Sequence, residues 1–186
     1  MIIKTTKDLL VDSFRELAEK KKIHKITIKA ITDNCEMAPA TFYRHFQNKY
    51  DLITWDYGIR MREIVERACD EGKTWPELQL EYIMFYEQHK ALFINIIQHT
   101  SGYELFTRNM TDISAEQIRY YLKTEKDVVN PDPDLDLYIR IYCHGATMTV
   151  CEWLFGAIEA SAEKIADLLD HSLPLPLREY IFNERI

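Results

Sequence analysis

Five side chains within nine positions could together grip a nucleic acid: Thr41, Tyr43, Arg44, His45 and Lys49. An arginine guanidinium can fork onto O6 and N7 of guanine, which discriminates that base by about 1–3 kcal/mol. Tyrosine and histidine tips can hydrogen-bond phosphate oxygens, which fixes register but reads no sequence. Lys49 falls at the expected start of a helix. Backbone N–H groups there already favour phosphate, and the lysine adds a mobile positive charge. Just ahead, Pro39 and Ala40 are small enough to permit a close approach to base edges.

Such a set needs a rigid platform, and the stretch Thr27–Leu52 supplies one. Thr27 is suited to cap a helix over about 28–34, because its hydroxyl can accept an orphan backbone N–H. Cys35-Glu36-Met37 then reads as a tight turn. Pro39 opens a short helix over about 39–46, since its missing N–H costs nothing at the first helical position. Phe42 and Phe46, four apart, point the same way and anchor that helix. At about 100° per residue, Ala40 and Arg44 lie opposite Phe42, flanked by Pro39, Thr41, Tyr43 and His45. Asn48 caps a fourth, longer helix reaching about residue 71. Helix, turn, short helix is a helix-turn-helix, whose second helix can lie in the major groove.

The rest of the chain predicts more helix. Five Gly and six Pro in 186 residues leave few turns, which favours long helices over a many-stranded sheet. Helices are expected over about 4–22, 74–89 (capped by Thr74), 90–99, 103–125 with an interruption near Thr111, 134–157 and 161–172. A break is expected at Ser101-Gly102, a loop at Asn130–Pro133, and a short last segment over 178–186.

Charge is divided unevenly. The net −7 of the whole chain splits into +4 over residues 1–62 and −11 over residues 63–186. Exposed charges are screened beyond about 8 Å at physiological salt, so a basic head on an acidic body can still bind phosphate locally. No apolar run reaches the length of a membrane span, and Met1–Asp8 turns polar at once, so the cytoplasm is the expected location. Cys35, Cys69, Cys143 and Cys151 have no CxxC spacing or nearby His pattern; they read as reduced core residues, with no metal expected. There is no Gly-rich phosphate loop, GxSxG or HExxH, so neither an enzyme nor a cofactor is predicted.

The string Ala38-Pro39-Ala40-Thr41-Phe42-Tyr43-Arg44-His45-Phe46-Gln47-Asn48-Lys49-Tyr50-Asp51-Leu52 is similar to the signature of the TetR family of transcriptional regulators. That signature has Thr, an apolar residue, Tyr, any residue, His-Phe, two residues, Lys, two residues and Leu. The resemblance implies an all-α protein of about nine helices, with a three-helix DNA-binding head (1–48) and a helical effector-binding and dimerisation body (49–186). It implies a homodimer on palindromic double-stranded DNA, most simply a repressor released by a small-molecule effector. Tyr43, His45 and Lys49 match family phosphate contacts. Thr27 matches the cap of the second helix, with Lys29 beside it, and Pro39, Ala40, Thr41 and Arg44 match base-facing positions. Two departures stand out: Glu36 occupies a turn position where the family usually has Gly, and Ala38 stands where Ser or Thr is common. A left-handed residue there, Glu36 or else Asn34, would cost about 1–2 kcal/mol.

The body weakly resembles the dihydroxyacetone kinase regulator-like branch, through Phe85-Tyr86-Glu87-Gln88-His89-Lys90, Phe93–Ile97 and Gly145 with Glu152-Trp153-Leu154. That likeness implies an alternative, an activator working with a protein co-regulator. Pocket candidates are Tyr82, Phe85, Tyr86, Phe106, Tyr120 and Tyr142. Gly145, Thr149 and Trp153 with Ile165, Leu168 and Leu169 are candidates for the dimer interface, on the argument that small residues permit close helix approach. Burial within one subunit is the other reading of those positions. A helical interaction protein without DNA binding is the rival for the whole chain.

Overall fold

A computed structural model of the chain describes residues 4–99 and 103–182. The expected break at Ser101-Gly102, the His99 side chain and the last four residues of the tail lie outside the described residues. Among the described residues there is no strand. The helices are α1 (Thr6–Lys20), α2 (Ile28–Asn34), α3 (Pro39–Tyr43), α4 (Lys49–Asp70), α5 (Trp75–Gln88), α6 (Lys90–His99), α7 (Tyr103–Lys126), α8 (Pro133–Leu154), α9 (Ala162–His171) and α10 (Leu175–Phe182), with a 3-10 turn at Ile23–Lys25. The fold is all-α, as expected. The tenth helix comes from the tail, where Leu175 and Pro176 start a helix earlier than the expected segment at 178. Helix α7 runs without interruption at Thr111, whose hydroxyl donates back to the Thr107 carbonyl (3.0 Å) while the residue stays buried.

Two compact units result: Met1–Tyr57 with Ala91–Phe106, and Gly58–Lys90 with Thr107–Ile186. In the first, Leu10, Phe14, Ile23, Ile26, Ile31, Phe42 and Leu52 form a core in which each is at most 1% exposed. In the second, α5 packs on α9 and α10 on α8, around buried Leu78, Ile83, Met110, Leu122, Ile139 and Ile165.

Helix starts follow side-chain chemistry. Thr27 accepts the Ala30 N–H at 3.1 Å, and Asn48 accepts those of Tyr50 and Asp51 at 2.8 and 3.1 Å. Thr74 and Glu77 form a reciprocal capping box. Each such cap contributes about 1 kcal/mol by pairing orphan donors.

Helix ends follow backbone handedness. After α2, the Met37 N–H reaches the Thr32 carbonyl (2.8 Å) and the Glu36 N–H the Asp33 carbonyl (3.3 Å), which is the Schellman arrangement. The same pattern closes α4 at Gly72 and α8 at Gly156, both with positive φ. At α2 the left-handed position belongs to Glu36, with φ 56°. Asn34 stays helical and is otherwise engaged: its Nδ2 donates to Ser13 Oγ (3.1 Å) and Glu16 Oε2 (3.0 Å). The left-handed cost of about 1–2 kcal/mol exceeds the roughly 0.5–1 kcal/mol that glycine loses in chain entropy. Glu36→Gly is therefore expected to stabilise the protein by up to about 1 kcal/mol. A urea titration checks it: the midpoint should rise at unchanged slope, and a lower midpoint would refute the strain at this turn.

Candidate nucleic-acid interface

The presumed reader is built upward from α1. Ser13, buried, donates to the Ile31 carbonyl at 2.6 Å and in turn accepts from Asn34. This relay fixes α2 on α1. The Schellman turn then swings the chain into α3, with Pro39 in its first turn and Ala38 providing no side-chain cap. Helix α3 is shorter than the 39–46 span expected, ending at Tyr43, although the Phe46 N–H still bonds the Phe42 carbonyl at 2.9 Å.

A helix of five residues has no stability of its own, so packing must hold it. Phe42 (0% exposed) and Phe46 (3%) face inward with ring centroids 5.7 Å apart. Phe46 meets Trp55 edge-on at 5.8 Å, and the Lys7 ammonium lies over both rings, 5.5 and 4.9 Å from their centroids. The opposite side is open. Pro39, Ala40, Tyr43, Arg44 and His45 are exposed, Tyr43 by 60%, and Thr41 is half-buried. Arg44 makes no hydrogen bond or ion pair among the described residues, so its guanidinium is available to a partner. Thr27 is exposed at the cap of α2, and Lys29 is exposed and ion-paired with Asp33.

Lys49 is placed differently from the mobile charge anticipated. Its ammonium donates to the carbonyls of Ile23 (2.7 Å) and Ile26 (2.9 Å). Partial burial holds its pKa below the usual lysine range. An ammonium has three donors, so two clamp the turn before α2 to the start of α4 and one remains for an anion.

A residue that the pattern reading missed is Asn95 of α6. It accepts the Ile23 N–H (3.1 Å) and donates to the Ala18 and Lys21 carbonyls (3.1 and 3.0 Å), satisfying groups that the end of α1 leaves open. Its signal was a lone amide within the apolar run Phe93–Ile97.

The second unit contains a cavity of about 60 Å³. Of the six pocket candidates, Tyr82, Tyr86 and Tyr142 line it. The remaining three do not. Phe85 borders a separate surface cleft with Arg60 and Arg67, because the α5 face that carries Gln79, Tyr82, Ile83 and Tyr86 inward turns position 85 away. Phe106 is buried in the first unit, 6.1 Å from the Tyr57 ring. Tyr120 lies beside the Arg62 guanidinium, 6.0 Å from ring centroid to carbon.

The six positions suggested for a subunit interface also divide. Trp153, Ile165 and Leu169 are buried within the chain itself, at 5, 1 and 6% exposure. Gly145 and Leu168 are exposed and Thr149 is half-buried. Helix α8 is apolar on two sides, and Leu137, Ile141, Met148 and Phe155 line its exposed one. Cys143 and Cys151 are buried and Cys35 and Cys69 half-buried. No helix among the described residues is long and apolar enough to cross a membrane.

A short helix locked by two phenylalanines behind a capped helix, with its polar side open, defines the helix-turn-helix class. The chain belongs to the TetR family: the model for "Bacterial regulatory proteins, tetR family" matches residues 10–54, and that for "Transcriptional regulator C-terminal region" matches residues 73–174. It is thus a transcriptional regulator of that family. A curated relative, the "HTH-type dhaKLM operon transcriptional activator DhaS" of Lactococcus lactis subsp. lactis (strain IL1403), is 21% identical over 101 residues, 54% of each chain. The chain thus spans about half the length of that relative. The solved structure of a "Dihydroxyacetone kinase operon activator DhaS" superimposes with a TM-score of 0.63 at 16% identity, covering 95% of this chain and 98% of the other. That likeness extends the shared fold over nearly the whole chain.

Proposed function

We propose that the chain is a sequence-specific, homodimeric DNA-binding regulator of an operon. Residues 1–48 read DNA, and residues 49–186 dimerise and receive the signal. The observation that carries this is the division of α3, with Phe42 and Phe46 inside and Pro39, Ala40, Tyr43, Arg44 and His45 outside. In this reading Pro39, Ala40, Thr41 and Arg44 face bases. Tyr43, His45, Thr27, Lys29 and the third donor of Lys49 meet phosphates. The exposed stripe Leu137–Ile141–Met148–Phe155 of α8, with Leu168 of α9, forms the self-complementary surface between two copies. The simplest mode is repression by operator occupancy, relieved when an effector in the body favours a state with lower DNA affinity. Activation of an operon is the second reading, favoured by the printed function of the DhaS relative.

Selection of bound sequences from a random duplex pool tests the proposal, and a palindrome is the expected product. On the selected site, affinity should fall steeply with salt through counterion release. Flat, negligible binding at every salt concentration would leave only a helical interaction protein. Arg44→Ala is expected to lose about 1–3 kcal/mol of discrimination at one base position. Lys49→Ala should weaken all sequences alike and reduce the salt slope by about one. Equal loss on every sequence for Arg44→Ala would remove it from the base-reading set.

A further inference from the structure

The cavity of the second unit carries polar groups that the chain's own hydrogen bonds leave unused. Most of its wall is aliphatic or aromatic. One polar pair within it is satisfied: Gln79 Nε2 donates to Tyr142 Oη at 2.6 Å, and Tyr142 donates to the Leu169 carbonyl at 3.1 Å. Two other wall residues are not. The indole Nε1 of Trp75 and the side-chain carbonyl Oε1 of Gln117 are buried without a hydrogen-bond partner. The residues that bear them are 3% and 4% exposed.

Orphaned buried polar atoms are costly and therefore rare in native interiors. One alone is a packing defect. A donor and an acceptor on the wall of the same cavity form a recognition pattern, because one molecule can satisfy both. The wall contains no Asp, Glu, Lys, Arg or His, so an ion would be buried there without a counter-charge. The volume limits size. At about 10–15 Å³ per water on this measure, 60 Å³ holds the equivalent of a few waters.

We propose that this cavity binds a small uncharged molecule, such as a short diol or primary amide. Its acceptor oxygen takes the Trp75 indole N–H, and its hydroxyl or N–H donates to Gln117 Oε1. The proposal rests on reading the body as the signal-receiving part, and it names the chemical class of the signal. A ligand this small binds on the order of millimolar.

The three tryptophans of the chain give three indole N–H resonances in an ¹⁵N-correlated spectrum of the full-length protein, and Trp75→Phe assigns one of them. Titration with propionamide or 1,2-propanediol is expected to move the Trp75 resonance saturably. Propionate, with the same shape but a charge, should not move it. Gln117→Met should weaken propionamide by roughly tenfold, the loss of one hydrogen bond. The wild-type comparison of propionamide with propionate decides even if that variant does not fold. Absence of a saturable shift with both neutral probes overturns the site, as does equal binding of propionate. Operator affinity measured in the same samples separates this from the regulator reading. Intact DNA binding without a probe shift sinks the cavity proposal alone. A saturable shift that leaves operator affinity unchanged supports the site and overturns its role as the signal.

Discussion

Phe42→Ala is expected to abolish specific DNA binding while most of the helical signal of the protein persists. The ring is completely buried and touches Phe46 and Tyr43 at 5.7 Å. Truncating a buried phenylalanine costs about 3–5 kcal/mol, against a total stability of about 5–15 kcal/mol for an ordinary domain. The local consequence is larger than that ratio suggests. Helix α3 has five residues and no side-chain cap, so propensity cannot hold it once the anchor is gone. The reading face would persist chemically and lose its orientation. Trp55 reports on the change, because it packs on Phe46, which packs on Phe42. Its fluorescence should shift toward that of a hydrated indole, and operator affinity should collapse to the level of random duplex. Arg44→Ala is the contrasting variant, changing affinity with no change in melting. A Phe42→Ala protein with wild-type melting and wild-type operator affinity would mean that α3 is held by something other than these rings.

How far the site was legible follows from the range of each interaction. Phe42 and Phe46 are one helical turn apart, and Thr27, Asn48 and Thr74 cap donors within three residues, so sequence spacing alone located them. The displaced features are long-range. Asn95 bonds residues more than seventy positions away, and Lys49 bonds carbonyls 23 and 26 positions back. Nothing in a local window marks those partners. Glu36 falls between these cases. The need for a left-handed residue after α2 was visible, but the choice between Asn34 and Glu36 was not. Ser13 and Glu16 of α1 engage the amide of Asn34 and settle that choice. The pocket list failed for a third reason. Aromatic type says that a side chain wants burial, and only the rotation of α5 separates Tyr82 and Tyr86, which face the cavity, from Phe85, which does not.

The same ambiguity governs α8, where the two readings predict opposite results. Trp153→Ala is expected to destabilise the second unit by about 3–5 kcal/mol. Its ring is buried within the chain, and its indole N–H donates to the Ala160 carbonyl at 2.8 Å, pinning the segment that leaves α8 through Gly156. The loss should appear as a lower urea midpoint. Ile141→Glu should do the reverse. Ile141 is 57% exposed on the stripe with Leu137, Met148 and Phe155, so a single chain tolerates a carboxylate there. In a two-fold dimer every substitution occurs twice on the shared surface, and burying unpaired charge opposes association. Sedimentation across a concentration series should therefore show a folded monomer for Ile141→Glu. With the two reading heads no longer held about 34–36 Å apart, affinity for a palindrome should fall toward that of a half-site. A folded Trp153→Ala monomer beside an intact Ile141→Glu dimer would place the subunit contact on the opposite side of α8, and the burial of Trp153 would then have to be explained by the partner.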